Sequence, residues 1–326
     1  MTYLVTGAAG FIGFHTALHL LQRGERVVGI DNLNDYYSVS LKKDRLAELA
    51  RNRGFTFHQV DIADHASLTR ALAGAGIRNV IHLAAQAGVR YSIDHPHAYV
   101  QANLVGHMNM LEYCRHLDGF EAMSYASSSS VYGGNTKLPF SECDPVERPI
   151  SLYGATKRAD ELISYAYAHL YRLPLTGLRF FTVYGPWGRP DMAMWLFTQA
   201  IIAGEPIKVF NFGRMRRDFT YIDDIIRGVI LVADRPPAGD DGAPHRIYNI
   251  GNNRPEDLLH MIAVLEQAVG RRAEKIMLPL QPGDVPETYA DIEAIRHDHG
   301  FAPTTPIEVG IPAFVAWYKR YHRLTP

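Results

Sequence analysis

Three glycines near the start of the chain constrain its fold more than any other feature. Residues 2–6 form a short apolar run typical of a buried strand, and Gly7, Gly10 and Gly13 follow it at the start of a helical pattern. Glycine lets main-chain N–H groups approach a phosphate closely, and a helix N-terminus favours negative charge. The G-x-x-G-x-x-G spacing therefore predicts a strand–turn–helix unit that binds the pyrophosphate of a dinucleotide.

Strand-like runs and helical patterns alternate through the first half of the chain. Further runs lie near residues 26–31, 55–60, 79–83, 122–126 and 175–181, and helical patterns lie near 11–23, 41–52, 64–73, 98–117 and 152–172. Such alternation is typical of a parallel sheet covered by helices on both faces. We predict an α/β chain built on a Rossmann-type, doubly wound parallel sheet.

The pattern changes after about residue 181, where many prolines divide the chain into shorter units. We predict a second, smaller, mixed α/β lobe over the carboxyl edge of the sheet. The dinucleotide-binding domain is expected over residues 1–181, with a return near 222–250. The lobe, which would bind the substrate, is expected over 182–221 and 251–326.

Composition limits the partners and the compartment. A formal net charge of -1 gives no reason to expect nucleic acid or an anionic membrane as a partner. No apolar run approaches the ~18 residues of a transmembrane helix, and the first residues lack the basic region of a signal peptide. Cys114 and Cys143 indicate no disulfide framework, and the histidines show no metal-ligand spacing. We expect a cytoplasmic protein without a metal.

Side chains at the ends of the predicted strands suit a bound dinucleotide. Asp31 ends the second run, where its carboxylate can accept hydrogen bonds from both hydroxyls of an adenosine ribose. The same charge would repel a 2′-phosphate, which favours NAD over NADP. Asp61 and Ile62 end the third run, where a side chain can meet an adenine. Residues 83–85 end the fourth, where small side chains let a cofactor lie against the main chain.

A tyrosine and a lysine provide residue types for acid–base chemistry. Tyr153 and Lys157 are one helical turn apart on the same face. A phenol is a poor base at neutral pH, and a fixed cation beside it stabilises the phenolate. Such a pair can take a proton from a sugar or alcohol hydroxyl while a hydride leaves the same carbon. The fifth strand-like run continues into serines at 127–130, where a hydroxyl can position the reacting group against Tyr153.

The glycine loop, Asp31, Ser128 and the Tyr153/Lys157 pair together resemble the extended short-chain dehydrogenase/reductase superfamily, over nearly the whole chain. The resemblance implies that NAD stays bound through the reaction cycle and that Ser128 is the catalytic serine. It also implies that Ser130 touches the sugar and that Lys157 holds the nicotinamide ribose. Residues 85–92, 179–192 and 214–224 look like those of UDP-glucuronate 4-epimerases.

Thr182 distinguishes this chain from other sugar-nucleotide enzymes that it resembles. UDP-glucose 4-epimerases, UDP-glucuronate decarboxylases and dTDP-glucose dehydratases usually carry Asn at this position. A small hydroxyl leaves room for a C5 carboxylate, so Ser128, Ser130 and Thr182 would form a neutral donor cradle for that group. A dehydratase is disfavoured because its acidic Asp-Glu pair falls on Ser129 and Ser130.

The expected reaction is C4 epimerisation of UDP-glucuronate to UDP-galacturonate, through a 4-keto intermediate and without decarboxylation. A UDP-glucuronate decarboxylase, a UDP-glucose 4-epimerase and a non-catalytic dinucleotide sensor are the alternatives.

The remaining expectations concern substrate binding and assembly. Arg189 and Arg217 are expected to bind the diphosphate, and Arg90 a substrate or cofactor phosphate, because a buried diphosphate needs cationic donors. Residues 208–211 resemble the segment that places uracil against main chain and an aromatic ring. The helices near 98–117 and 152–172 match those that pair relatives into homodimers, so a homodimer is expected by analogy.

The residues expected to contact NAD are Gly7, Gly10, Phe11, Ile12, Gly13, Asp31, Asn32, Asp61, Ile62, Leu83, Ala84, Ala85, Asn103, Tyr153 and Lys157. Those expected to contact the UDP-sugar are Arg90, Ser128, Ser129, Ser130, Thr182, Arg189, Val209, Phe210, Asn211 and Arg217.

Overall fold

A parallel sheet with helices on both faces forms the larger part of the molecule. The computed structural model describes residues 1–239, 242–281 and 284–324. Its strands are β1 (Thr2–Thr6), β2 (Arg26–Asp31), β3 (Phe55–Gln59), β4 (Asn79–His82), β5 (Ala122–Ser128), β6 (Leu175–Phe180), β7 (Thr182–Tyr184), β8 (Ile207–Val209), β9 (Arg216–Tyr221), β10 (His245–Ile250), β11 (Pro255–Asp257) and β12 (Lys275–Met277). Its helices are α1 (Phe11–Gln22), α2 (Val39–Ala50), α3 (His65–Leu72), α4 (Tyr91–Asp94), α5 (Pro96–Tyr99), α6 (Gly106–Arg115), α7 (Leu152–Tyr171), α8 (Ala193–Ala203), α9 (Ile222–Ala233), α10 (Leu258–Val269), α11 (Glu293–His299) and α12 (Ile307–Tyr321).

The large sheet has seven strands in the order β3-β2-β1-β4-β5-β6-β10, and every neighbouring pair is parallel. Helices α1, α9 and α11 pack on one face, and α3, α6 and α7 pack on the other. The chain order reverses between β1 and β4, so the carboxyl ends of these strands open a crevice there. The predicted Rossmann-type doubly wound sheet is confirmed.

The helix predicted near residues 98–117 contains a π-helical segment, Val100–Val105, between α5 and α6. A π segment holds one more residue per turn than an α-helix, and such segments frequently occur at functional sites. Here Asn103 lies inside the segment and is buried. The sequence pattern did not distinguish this segment from ordinary helix.

Two small sheets lie beyond the large one. Strand β9 pairs parallel with β7 and antiparallel with β11, and β8 pairs parallel with β12. Helices α8, α10 and α12 cover them around buried aromatic side chains that include Trp195, Phe314 and Trp317. The predicted smaller mixed α/β unit is therefore present. The chain returns to the large sheet through α9 and β10, whereas the boundaries of a cofactor domain and a substrate lobe remain a prediction.

None of the helices in the described ranges combines the length and the apolarity needed to cross a bilayer.

Candidate active site

One large cleft lies along the carboxyl ends of the parallel strands. Its volume is about 1070 Å³, larger than the roughly 300–1,000 Å³ of a typical small-molecule pocket. Residues from the ends of β1, β2, β4, β5 and β6 line one side, and residues around β7 to β9 line the other. The cleft therefore has room for two ligands, one against the sheet and one between the sheet and the smaller unit.

The glycine loop forms a close turn at the sheet side of the cleft. The Gly10 N–H donates to the Gly7 carbonyl oxygen at 2.8 Å, and a Cβ atom at Gly13 would lie only 2.1 Å from that same oxygen. Helix α1 begins at Phe11, and the preceding Gly10 has no side chain with which to cap it. The first N–H groups of α1 are thus available to an anion in the cleft, as pyrophosphate binding requires.

Asp31 occupies the end of β2 beside this loop. Its carboxylate accepts hydrogen bonds from the Ala9 N–H at 3.2 Å and the Leu33 N–H at 2.8 Å. Burial raises the pKa of Asp31, while these N–H groups and the charge of Lys42 oppose the rise. Asp31 lines the cleft, so a ribose hydroxyl can complete its hydrogen bonds.

The next strand ends contribute the other predicted cofactor contacts. Asn32 donates to Asp61 at 3.0 Å, and both line the cleft with Ile62. The Leu83 and Ala84 N–H groups donate to the Thr6 hydroxyl at 3.1 and 3.0 Å. The cleft walls include these predicted cofactor contacts: Gly7, Gly10, Phe11, Ile12, Gly13, Asp31, Asn32, Asp61, Ile62, Leu83, Ala84, Ala85, Tyr153 and Lys157.

Asn103 is the predicted cofactor contact that does not line the cleft. Its side-chain amide is buried and forms hydrogen bonds with Gln86 main-chain atoms at 2.8 and 3.1 Å and with the Thr156 hydroxyl at 3.0 Å. It therefore connects the loop after β4 to α7. A direct contact between Asn103 and NAD has no support from this geometry, because the amide is already occupied by the protein.

Helix α7 presents Tyr153 and Lys157 to the cleft in its first turns. The Ser151 hydroxyl caps the helix by accepting from the Gly154 N–H at 3.1 Å. A Cβ atom at Gly154 would lie 2.5 Å from the Ser130 carbonyl oxygen, so glycine allows α7 to approach the serine turn. The Tyr99 ring packs edge-on against the Tyr153 ring, with centroids 6.0 Å apart. These contacts bring Tyr153 next to the end of β5.

A buried ion pair between Arg179 and Glu161 lies next to the end of β5, where the turn formed by Ser129 and Ser130 begins. Arg179 donates to Glu161 through Nε at 2.8 Å and Nη2 at 2.9 Å, and the Ser127 hydroxyl donates to Glu161 at 2.6 Å. Burial would raise the pKa of Glu161, but Arg179 and the hydrogen bonds lower it overall. Strand β5 is thereby connected to α7 immediately before Ser128.

Four uncharged hydroxyl side chains line the cleft near Tyr153. Ser128 ends β5 and accepts from the Ser130 N–H at 3.2 Å, and Ser129 and Ser130 follow in a short 3₁₀ turn. Thr182 begins β7, where it pairs with Phe219 of β9. Ser128, Ser130 and Thr182, the three members of the predicted carboxylate cradle, line the cleft together with Ser129.

Arg189 also lines the cleft, but it already has an acidic partner. Its guanidinium forms two hydrogen bonds with Asp191, at 3.0 and 2.5 Å, and the Tyr36 hydroxyl donates to the same carboxylate at 2.9 Å. Burial would raise the pKa of Asp191, but the Arg189 charge and these hydrogen bonds lower it overall. Asp191 therefore holds Arg189, the side chain predicted to bind phosphate, in one orientation.

The other two predicted phosphate ligands lie at the cleft mouth. Arg217 donates to the Val285 carbonyl at 2.6 Å and the Pro286 carbonyl at 3.0 Å. Arg90 pairs with Asp284 at 2.6 Å and lies over the Phe210 ring, 4.7 Å from its centroid. Within residues 1–239, 242–281 and 284–324, the Arg217 guanidinium donates to main-chain carbonyl oxygens and forms no ion pair, so it can still bind an anion. The Arg90–Asp284 pair crosses the mouth.

Two predicted uracil contacts do not line the cleft. Val209 is fully buried in the core of the smaller unit, and the Asn211 amide donates to the Arg214 carbonyl at 2.7 Å. Phe210 does line the cleft. Phe210 is therefore placed where it could contact uracil, whereas the positions of Val209 and Asn211 do not support contacts from their side chains.

Arg45 connects the two sides of the cleft from outside it. Its Nη1 donates to the Ala9 carbonyl at 2.8 Å and the Tyr37 hydroxyl at 2.9 Å. Its Nη2 donates to the Trp187 carbonyl at 2.6 Å and the Gly188 carbonyl at 3.0 Å. The guanidinium is buried, so the glycine loop and the loop that carries Arg189 are held together by one side chain.

Sequence reasoning missed several of these residues. Asp191 binds Arg189, Tyr36 binds Asp191, and Asp160 lies 3.1 Å from the Lys157 ammonium, while Arg45 connects the two loops. Asp191 lies two positions after Arg189, and Asp160 lies three after Lys157, so spacing offered a local signal for those two. Tyr36 binds Asp191, and the three carbonyl partners of Arg45 also lie more than thirty residues away from it, so no local pattern indicates these two residues.

The fold and this cleft define a dinucleotide-binding α/β protein of the extended short-chain dehydrogenase/reductase type. More specifically, the chain belongs to the NAD dependent epimerase/dehydratase family, whose model matches residues 3–251.

Known proteins are similar to this chain over nearly all of its length. The chain is 52% identical to an "uncharacterized 37.6 kDa protein in cld 5′ region" of Escherichia coli O111:H-, covering 99% of this chain and 100% of that protein. It is 46% identical to UDP-glucuronate 4-epimerase 4 of Arabidopsis thaliana, covering 99% of this chain and 76% of that protein. The structure of Bacillus cereus UDP-glucuronic acid 4-epimerase in complex with UDP-glucuronic acid and NAD is similar with a TM-score of 0.90 and 34% identity, covering 98% of this chain and 100% of that chain.

Proposed function

We propose that the protein is a UDP-glucuronate 4-epimerase, an isomerase that interconverts UDP-glucuronate and UDP-galacturonate with bound NAD. The observation that carries the proposal is the presence of Tyr153, Lys157 and the uncharged hydroxyls around Thr182 in one cleft. The full-length similarity to an epimerase that binds UDP-glucuronic acid and NAD supports it.

The residues on the sheet side fit NAD. The space in front of Gly13, the unoccupied N–H groups of α1 and the carboxylate of Asp31 match a pyrophosphate and a ribose diol. When bound, NAD supplies the acceptor and later the donor of a hydride at C4 of the sugar. The carboxylate at Asp31 disfavours a 2′-phosphate, so NAD rather than NADP is the expected cofactor.

Tyr153 acts as the base and then as the acid. Its phenolate takes the proton of the C4 hydroxyl as the hydride leaves C4, which produces a 4-keto sugar. Ser128 donates to the same oxygen and keeps it against Tyr153. The keto sugar then turns about its linkage to the diphosphate. The hydride would return to the opposite face of C4, and Tyr153 returns its proton to the C4 oxygen. The hydride and the proton are both restored, so the reaction is redox-neutral overall.

The hydroxyl cradle protects the intermediate from losing CO2. A 4-ketone beside a C5 carboxylate is a β-keto acid, which decarboxylates fastest when the carboxylate bond stands perpendicular to the carbonyl plane. Donors from Ser128, Ser130 and Thr182 would hold the carboxylate away from that alignment. They are neutral, so they bind the charge without acting as acids.

The diphosphate of the substrate is bound on the far side of the cleft. In the part of the chain that the structure describes, Arg217 donates to main-chain carbonyl oxygens alone, and Arg189 is oriented by Asp191. Guanidinium groups suit phosphate oxygens because they donate in a planar fork. Phe210 would support the uracil ring.

The decisive experiment is to incubate the purified protein with UDP-glucuronate and identify the products by NMR. UDP-galacturonate is expected. UDP-xylose as the main product would identify a decarboxylase, and faster turnover of UDP-glucose would identify a UDP-glucose epimerase. Either result would sink the proposal.

A pair of tyrosine variants separates catalysis from mere dinucleotide binding. Tyr153→Phe removes the base and is expected to lower turnover about 1000-fold while NAD stays bound. Tyr171→Phe, on the same helix but outside the cleft wall, should leave turnover unchanged. Equal activity of both variants would argue against Tyr153 as the base.

We also propose a homodimer formed through α6 and α7. Leu162 and Tyr165 of α7 are each 55% exposed, which is unusual for such large apolar side chains on adjacent turns. Light scattering should give twice the chain mass, and Leu162→Glu should give monomers. A monomeric unsubstituted protein at micromolar concentration would contradict this.

The free thiols of Cys114 and Cys143 support the proposed cytoplasmic location.

A further inference from the structure

A buried carboxylate lies directly beside the lysine of the candidate active site. The Lys157 ammonium is 3.1 Å from Asp160 Oδ2, and the two side chains are only 4% and 0% exposed. Tyr153, Lys157 and Asp160 follow one another at spacings of four and three residues on α7, so all three lie on one face of the helix. Lys157, one helical turn from Tyr153, is therefore not an isolated cation, because the Asp160 carboxylate lies beside its ammonium.

Asp160 has little other stabilisation. Its Oδ1 atom is buried and has no hydrogen-bond partner within residues 1–239, 242–281 and 284–324. Burial raises the pKa of Asp160 to about 6, with Lys157 opposing the rise. A carboxyl of this kind changes its charge within the range in which a cytoplasmic enzyme works.

The ionisable groups around the pair are held in one state near neutral pH. Burial lowers the pKa of His82 on β4 to about 3 and also lowers that of His107 on α6, so both are neutral. Burial raises the pKa of Tyr125 on β5, and Glu161 on α7 is kept ionised by Arg179. Among these groups of the described chain, Asp160 is the one that titrates near neutrality.

We propose that Asp160 is a positioning residue for Lys157: its carboxylate holds the ammonium and offsets part of the positive charge that acts on Tyr153. The inference rests on the proposed function for the role of Tyr153 as the base. An ionised Asp160 makes the phenolate harder to form, and a neutral Asp160 makes it easier. The Lys157 ammonium has three N–H donors, so it can contact a cofactor ribose while one N–H stays on Asp160, and the carboxylate sets how firmly the lysine is held.

The test compares Asp160→Asn with the unsubstituted protein in the NAD-loaded state. The ionisation of Tyr153 is followed by the ultraviolet difference absorbance of the phenolate, with the matching Tyr153→Phe protein subtracted in each case. The midpoint of the phenol titration is expected to move to lower pH by about one unit, as expected for one charge removed at close range. An unchanged midpoint in a folded variant overturns the proposal.

Asp224→Asn provides a matched control. Asp224 is also a buried aspartate that pairs with a basic residue three positions away, Arg227, but it lies on α9 and does not line the cleft. Its substitution removes an equivalent ion pair, so it is expected to lower stability without moving the phenol titration. A shift of equal size in this variant would show a general effect of destabilisation and would also overturn the proposal.

Activity gives a second readout that a purely structural role would not move. The acid limb of the pH–rate profile should move to lower pH in Asp160→Asn together with the phenol titration. Asp160→Ala, which places a strong helix former at this position, should shift the same limb in the same direction. A profile that only loses height, with both limbs in place, indicates an ordinary structural ion pair and contradicts the proposal.

The phenol titration uses no sugar nucleotide, so it is independent of the substrate assignment. A shifted titration in a protein that does not convert UDP-glucuronate would refute the proposed function and leave the Asp160 inference standing. Conversion of UDP-glucuronate with an unmoved titration would do the reverse.

Discussion

At the scale of single residues, Thr182 is the position at which we propose that the substrate carboxylate is bound. Its hydroxyl lies at the start of β7 and faces the same space as Ser128, Ser129 and Ser130. A hydrogen bond to a charged group contributes about 1.5–3 kcal/mol when both partners are desolvated. The position is therefore able to affect both affinity for a carboxylate and the fate of the keto intermediate.

Replacing Thr182 by Val keeps the shape and removes the donor. We expect kcat/KM for UDP-glucuronate to fall about 10- to 100-fold, and the share of decarboxylated product to rise because the carboxylate is less restrained. Product analysis by NMR measures both. Thr198→Val is the control, since Thr198 is a buried threonine of α8 that does not line the cleft. Wild-type kcat/KM and product ratio in Thr182→Val would contradict the cradle.

At the scale of elements, the turn between β1 and α1 depends on the absence of a side chain. The Cβ atom of an alanine at position 13 would lie only 2.1 Å from the Gly7 carbonyl oxygen. The main chain cannot accommodate that atom without moving the first turn of α1. The same movement would displace the N–H groups that face the cleft.

Gly13→Ala is therefore expected to lose NAD as well as stability. The free energy of unfolding should fall by about 2 kcal/mol or more, because backbone has to shift, and the NAD that copurifies should fall at least about tenfold. Thermal unfolding and the NAD content of denatured protein measure these effects. At Gly134 a new Cβ would meet only the Ile150 side chain at 3.9 Å, so Gly134→Ala should change neither. Full NAD content in Gly13→Ala would exclude the loop from cofactor binding.

At the scale of the whole molecule, buried neutral histidines determine the response to acid. Burial lowers the pKa of His15 to about 4, of His82 to about 3 and of His245 to about 4, and it lowers that of His107 strongly. Each has an ordinary value of 6.5 when unfolded. Their folded values are depressed, so their stabilising contribution is present above pH 6.5 and is lost as the pH falls toward the folded values.

Unfolding should thus become easier between about pH 7 and about pH 5, with an uptake of up to four protons or about 5 kcal/mol per pH unit. Asp160 and Asp218 act in the opposite direction, because burial raises the pKa of each to about 6 and so favours the folded state below that pH. Together they contribute two protons, fewer than the histidines. Thermal midpoints measured across this range test the sum. His245→Gln should reduce the slope by about one proton, and the exposed His116→Gln should not. A midpoint independent of pH would contradict the assignment.

Sequence reasoning succeeded where one local pattern sufficed. Apolar runs, glycines and strand-end residues such as Asp31 and Ser128 place themselves once a parallel sheet is assumed, because all carboxyl ends meet at one edge. Local patterns do not indicate which side chains already have a partner. The sequence does not show that Arg189 pairs with Asp191, or that Gln86 and Thr156 bind the Asn103 amide. The roles of Arg189 and Asn103 as phosphate and cofactor ligands stay predictions. Such pairing depends on distances between segments, which periodicity and spacing do not contain.

Arg45 illustrates a kind of residue that leaves no trace of its partners in the sequence. Three of its four hydrogen bonds are to main-chain carbonyls, at Ala9, Trp187 and Gly188. Every amino acid carries that carbonyl, so no particular side chain at those positions is needed to satisfy the arginine. A change at Trp187 is therefore not answered by a compensating change at Arg45. The loops on either side of the cleft can drift in composition while the connection between them is kept.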